Sequence, residues 1–148
     1  MRWQKNECTI DTDPALLDIS YIHHYLTEQS YWAAGIPVET VQTSIKGSVC
    51  FGVYKDGRQI GFARVVTDKA TFGYLADVFI DESCRGMGLS KWMMEVIMSH
   101  DELQGLRRWM LATRDAHGLY AQFGFRPLEN PDVMMAINDA DIYKRNPR

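Results

Sequence analysis

The chain has 148 residues, 46% of them apolar and 24% charged, and its 16 basic residues against 19 acidic ones leave a formal charge of −3. That is the size of one domain able to bury its own core, expected to span residues 1–148, and the composition argues against disorder and a strongly basic nucleic-acid footprint. The sequence holds no apolar run near the roughly 18 residues of a membrane span, its first ten residues lack an apolar h-region, so no secretion signal is expected, and its three sparse cysteines (Cys8, Cys50, Cys84) lack zinc-type spacing, which leads us to expect a cytoplasmic protein with no structural metal.

The first ten residues can form a strand. Asp13-Pro14 predicts a helix start, with Asp13 as N-cap and Leu17, Tyr21, Ile22 and Leu26 following at helical spacing. Residues 31–37 break that pattern. A short helix from Val38 to about Ile45 comes next, with Val38, Val41 and Ile45 on one face. Residues 49–54 and 60–66 are β-rich and flank Asp56-Gly57, a hairpin turn in which glycine accepts positive φ. A third strand runs from about Phe72 to Ile80, so these strands form an antiparallel meander.

The pattern then changes. Glu82 to Gly88 form a glycine-bearing loop. Leu89, Trp92, Met93, Val96 and Ile97 follow at i, i+3, i+4, i+7 and i+8, the spacing of an amphipathic helix packed on a sheet. A buried strand over 108–112, a short helix over 115–122 and two final strands over 125–128 and 133–137 complete the reading. The basic end, residues 144–148, is read as a frayed, solvated tail. The fold class is α+β, a mostly antiparallel sheet with one strand–loop–helix–strand crossover.

The stretch from Leu75 to Ser90 carries the chemistry. A strand delivers the chain to Gly86 and Gly88, and the turn opens a helix whose unpaired N–H groups suit a phosphate. Residues 81–100 hold three acids and two bases, so this is no basic patch. The Walker string is absent, and Lys91 stands where the third glycine of a dinucleotide loop belongs. The alternative is that both glycines only shape a turn.

Residues 85–90, Arg-Gly-Met-Gly-Leu-Ser, resemble motif A of the GNAT superfamily of N-acetyltransferases. Arg85 and Gly88 match it, while Ser90 departs at the last position. Residues 116–125, Ala-His-Gly-Leu-Tyr-Ala-Gln-Phe-Gly-Phe, resemble motif B of the same family. The likeness covers about residues 45–128. It implies a mixed, mostly antiparallel sheet with helices on both faces and a splayed central parallel strand pair.

It also implies acetyl-CoA as cosubstrate. Arg85, Gly86, Met87, Gly88, Leu89 and Ser90 would hold its pyrophosphate, mainly through backbone N–H groups with Arg85 assisting. Val78, Phe79 and Ile80 would pair through their backbone with the pantetheine arm. Tyr120 is the expected general acid to the CoA thiolate, against a reading as mere packing with Phe123. Asp77 interrupts an apolar strand on the face of Phe79. It either accepts the proton of the attacking amine, directly or through water, or pairs with Arg64. Tyr31 and Trp32 line the acceptor pocket or clamp the fold.

Asp115 is expected to cap the motif B helix, and His117 to lie at the surface. The expected acceptor is a small-molecule or peptide amine. Val133 to Ile137 can pair within the chain or between two copies of a homodimer. The alternative functions are a non-catalytic acyl-CoA sensor and a nucleotide phosphate-binding protein.

Overall fold

The computed structural model describes residues 1–145. Six strands lie in chain order across one sheet: β1 (Arg2–Lys5), β2 (Cys8–Asp11), β3 (Ser48–Lys55), β4 (Arg58–Thr67), β5 (Phe72–Ile80) and β6 (Arg108–Met110). All neighbours are antiparallel except β5 and β6. The first ten residues therefore hold two strands rather than one, folded back at Asn6, whose φ is 55°.

The described residues also form five α-helices. They are α1 (Ile19–His24), α2 (Val38–Lys46), α3 (Leu89–Ser99), α4 (His117–Ala121) and α5 (Ile142–Arg145). Asp13 caps only a 3-10 turn, Pro14–Leu16, and α1 begins later, where the Asp18 carboxylate accepts from Tyr21 N. Helix α1 runs on into a single π turn, Tyr25–Gln29, closed by Ser30 N donating to the Tyr25 carbonyl at 3.0 Å.

The two faces of the sheet carry separate cores. Under α3 lie Ile10, Phe51, Val65, Leu75, Met93 and Ile97; under α1 and α2 lie Ile22, Leu26, Val41, Ile45, Phe62 and Phe79. Helix α3 buries the whole stripe that its spacing predicted, and α2 buries Val41 and Ile45 of its three, because only one face of an amphipathic helix can leave water against the sheet.

Strands β5 and β6 are joined by the crossover through α3, as parallel neighbours require. Their register runs only from Phe72–Arg108 to Tyr74–Met110. Beyond that point the two chains part. On its other edge β5 carries a bulge: Ala76 pairs with Arg64 and Phe79 with Phe62, so Asp77 and Val78 together oppose Ala63. Asp77 adopts φ 55°, a left-handed conformation uncommon for a non-glycine residue.

The two strands expected over 125–128 and 133–137 do not form. A 3-10 turn, Pro131–Val133, lies between them, and Met135 and Ile137 are exposed. Pro127 and Pro131 each remove a backbone donor, which disfavours a regular ladder there. Lys144 and Arg145 belong to α5, where they pair with Asp141 and Asp139, so the expected fraying does not extend to them. The rest of that predicted tail lies outside the described residues.

Candidate active site

The parting of β5 and β6 opens a cavity of about 670 Å³. Its walls include Asp77 and Val78 from β5, Leu111 to Ala116 from the chain after β6, Tyr120 from α4, Tyr31 and Trp32 from the loop after α1, and Tyr143 from α5. Thus Tyr120, Asp77, Val78, Tyr31 and Trp32, chosen from the sequence, meet around one space.

Asp77 is held at both oxygens. Arg64 Nε donates to Oδ2 at 2.6 Å, and Trp32 Nε1 donates to Oδ1 at 2.8 Å. Arg64 also reaches Ser48 Oγ at 3.2 Å. The Asp77 side chain is only 8% exposed, so the guanidinium offsets the cost of burying its charge. The bulge turns Asp77 towards the α1–α2 face, where it meets Trp32.

Tyr120 is buried at 8% exposure, with its ring edge-on to Phe125. Burial, with the Tyr31 phenol and the Asp115 carboxylate adding, pushes its pKa up to about 12. The phenol therefore keeps its proton at neutral pH, the state a proton donor needs. Tyr31 is fixed differently: Arg114 N donates to its hydroxyl at 2.9 Å, and the Arg114 guanidinium sits 3.8 Å from its ring centre. Trp32 meets the Tyr31 ring edge-on at 5.0 Å.

The loop beyond β5 opens with Asp81, which accepts from Ser83 N and Ser83 Oγ. These bonds from Ser83, with help from Tyr21, hold the Asp81 carboxyl below its ordinary value. Gly86 and Gly88 adopt φ 82° and 74°, and a Cβ at either would meet nothing within 4 Å. Gly88 is also the N-cap of α3, and no side chain caps that helix. Its first-turn N–H groups, at Leu89 and Ser90, are thus without a side-chain acceptor. Met87 is exposed while Leu89 is buried in the core. Arg85 points elsewhere, donating to the Ile80 carbonyl and to the Tyr25 hydroxyl. Phe79 and Ile80 bury their side chains on opposite faces. The β5 backbone after Tyr74 has no β6 partner.

One expectation changes. Asp115 does not cap α4: the cap position is Ala116, whose N–H donates to Thr113 Oγ1. Tyr120 meets the Phe125 ring edge-on, and Phe123 packs against the same core. His117 is exposed, and Cys84 belongs to the core under α3. The sequence reading missed Tyr143, Arg114 and Tyr74 as cavity residues. Tyr143 offered no local pattern, since its neighbour Gly35 lies far away in the chain. Among the described residues no cluster of three or more His, Cys, Asp or Glu could hold a metal ion, and no helix is long and apolar enough to cross a membrane.

A family model described as an acetyltransferase (GNAT) domain matches residues 46–127. A curated Gibberella zeae protein, named a "putative acetyltransferase", is 31% identical over 163 aligned positions, covering 95% of this chain and 91% of its own. The crystal structure of a "putative acetyltransferase belonging to the gnat family" from Xanthomonas campestris pv. campestris superposes with a TM-score of 0.91 at 48% identity, covering 95% of this chain and 99% of that one. A GNAT family acetyltransferase from Elizabethkingia anophelis, solved with acetyl-CoA bound, shares the fold at a TM-score of 0.63 and 15% identity, covering 84% of this chain and 80% of its own.

Proposed function

The chain belongs to the GNAT family of acetyltransferases, and we propose that residues 1–148 work as one domain that moves an acetyl group from acetyl-CoA directly to a primary amine. The observation that carries this reading is the position of Tyr120. It is a buried, proton-retaining phenol in the cavity where β5 and β6 part.

The pyrophosphate is assigned to the backbone of residues 85–90. Two open glycines and an uncapped helix N-terminus support that assignment, because unpaired N–H groups and the helix dipole favour an anion there. The pantetheine arm is assigned to the free β5 edge at Val78, Phe79 and Ile80, in the manner of an added strand. An E. anophelis relative of the same fold holds acetyl-CoA, which agrees with this cosubstrate.

In the reaction the neutral amine nitrogen bonds to the thioester carbonyl carbon. The carbon–sulfur bond then breaks, and Tyr120 gives its proton to the departing thiolate. The amine proton goes to Asp77, directly or through water. Asp77 is suited to hold the incoming nitrogen, since each oxygen already accepting one hydrogen bond keeps a further lone pair. Tyr31 and Trp32 line the acceptor side of the same space, as expected of a substrate wall.

The test is free-thiol release from acetyl-CoA across a panel of amino acids, polyamines, aminoglycosides and peptides, with acetylated product read by mass. Amine-dependent thiol release is the expected result. Tight CoA binding with no turnover on any amine would count against the reaction. A rise in melting temperature with ATP but not with CoA would point to a nucleotide-binding protein instead.

A further inference from the structure

Tyr21 on α1 and Tyr25, first residue of the π turn that continues it, lie one turn apart, and both phenols reach the loop that follows β5. Tyr21 OH donates to Asp81 Oδ2 at 3.1 Å. Arg85 Nη2 donates to Tyr25 OH at 2.9 Å, while Arg85 Nε donates to the Ile80 carbonyl at 3.2 Å. Tyr25 itself is 7% exposed, and its ring lies flat on Phe79, with centres 3.8 Å apart and planes 5° from parallel. An exposed loop is thus tied, through one arginine, to a ring fixed in the core.

The loop needs such a tie. Gly86 and Gly88 are exposed and touch nothing where a side chain would be. Two glycines in three residues give the backbone many accessible conformations, and ordering them on binding costs free energy. Arg85 immediately precedes Gly86. Fixing its guanidinium at two points fixes the direction in which the chain enters the turn.

We propose that Tyr25 is a positioning residue for the cofactor: through Arg85, its phenol oxygen holds residues 81–88 in the shape that receives the CoA pyrophosphate. This rests on the reading of residues 85–90 as the pyrophosphate cradle. A loop already ordered loses less entropy when the ligand arrives, so it binds more tightly. Arg85 then acts chiefly as a strut behind the loop. The same helix runs through its π turn to Tyr31 and Trp32, so the cradle and the cavity wall share one support.

The test titrates CoA calorimetrically into the full-length protein and into Tyr25→Phe, Arg85→Met and the double variant. Tyr25→Phe keeps the ring on Phe79 and removes only the acceptor oxygen. Arg85→Met lies on an exposed loop and carries the test should Tyr25→Phe fail to fold. Each single change is expected to weaken CoA about five- to tenfold, and the double change no further than Arg85→Met alone, because Arg85→Met already removes the bond that Tyr25→Phe removes. In turnover, the Tyr25→Phe defect falls on the KM for acetyl-CoA rather than on kcat.

A lowered melting temperature with unchanged CoA affinity in Tyr25→Phe overturns the inference, since that is what a purely structural role gives. Losses that add in the double variant also overturn it, because Arg85 would then be meeting the anion directly. Wild-type protein that binds no CoA overturns the cradle reading and this inference together.

Discussion

The glycine loop and the cavity wall beside it are built in opposite ways. Residues 81–90 are contiguous, and what they offer a ligand is backbone: positive-φ glycines and the open end of α3. The wall is assembled from side chains of distant segments, namely Trp32, Arg64, Asp77, Arg114, Tyr120 and Tyr143. A backbone cradle tolerates many side chains provided its glycines remain. A side-chain wall changes character with each substitution. This division suits a protein that holds a fixed cosubstrate on one side and a particular acceptor on the other.

Tyr120→Phe probes the proton donor proposed in the wall, and carries the largest expected effect. Turnover should fall about 10²- to 10⁴-fold, the usual worth of a positioned acid, with the KM for acetyl-CoA little changed. Turnover within twofold of wild type would remove Tyr120 from the chemistry. The phenyl ring keeps its edge contact with Phe125, so folding should hold.

Arg64→Met probes how the wall is held. It leaves the Asp77 carboxylate buried without its cation, and should cost about 3 kcal/mol in chemical denaturation. The double variant Arg64→Met/Asp77→Asn, which removes the charge and keeps a side chain that tolerates the left-handed conformation, should recover most of that loss. A single-variant cost below about 0.5 kcal/mol, the scale of a surface pair, would mean the pair holds nothing in place.

The difference between the regions also explains what could be read from the sequence. The hairpin at Asp56-Gly57 was legible because both residues take positive φ, 52° and 74°, as a tight hairpin turn demands. The glycine loop and α3 were legible for the same reason: pattern and local geometry coincide. The bulge at Asp77 was not. Asp77 stands out as a charge in an apolar strand, with Arg64 as one candidate partner, but its left-handed φ and its bond from Trp32 are made across the fold and leave no local pattern. Tyr143 is a stronger case, since only the folded chain brings it to Gly35 and the cavity. The expected strands at 125–128 and 133–137 rest on apolar composition, which Pro127 inside the first and Pro131 just before the second override.

A control outside both regions carries the smallest expected effect. His100 is 2% exposed, its ring packs against Trp3 and Phe51, and its Nδ1 accepts from Glu102 N. Burial lowers its pKa below the ordinary 6.5. The native state therefore binds this proton less readily than the unfolded chain does. The stability His100 contributes is full above about pH 6.5 and is lost as pH falls through the lowered native value. Between pH 7 and pH 5 the denaturation midpoint should drop more in wild type than in His100→Asn, which keeps a cap acceptor and does not titrate. Parallel curves would assign the acid sensitivity to other groups.

The separation of cradle from wall is tested most directly by measuring two KM values on each of two variants, with the best amine from the panel. Gly88→Ala forces a Cβ onto a φ of 74° and should raise the KM for acetyl-CoA about tenfold, leaving the acceptor KM within about twofold. Trp32→Ala should do the reverse. If both variants raise both constants alike, or if Gly88→Ala moves only the acceptor constant, the two regions do not divide the labour in this way.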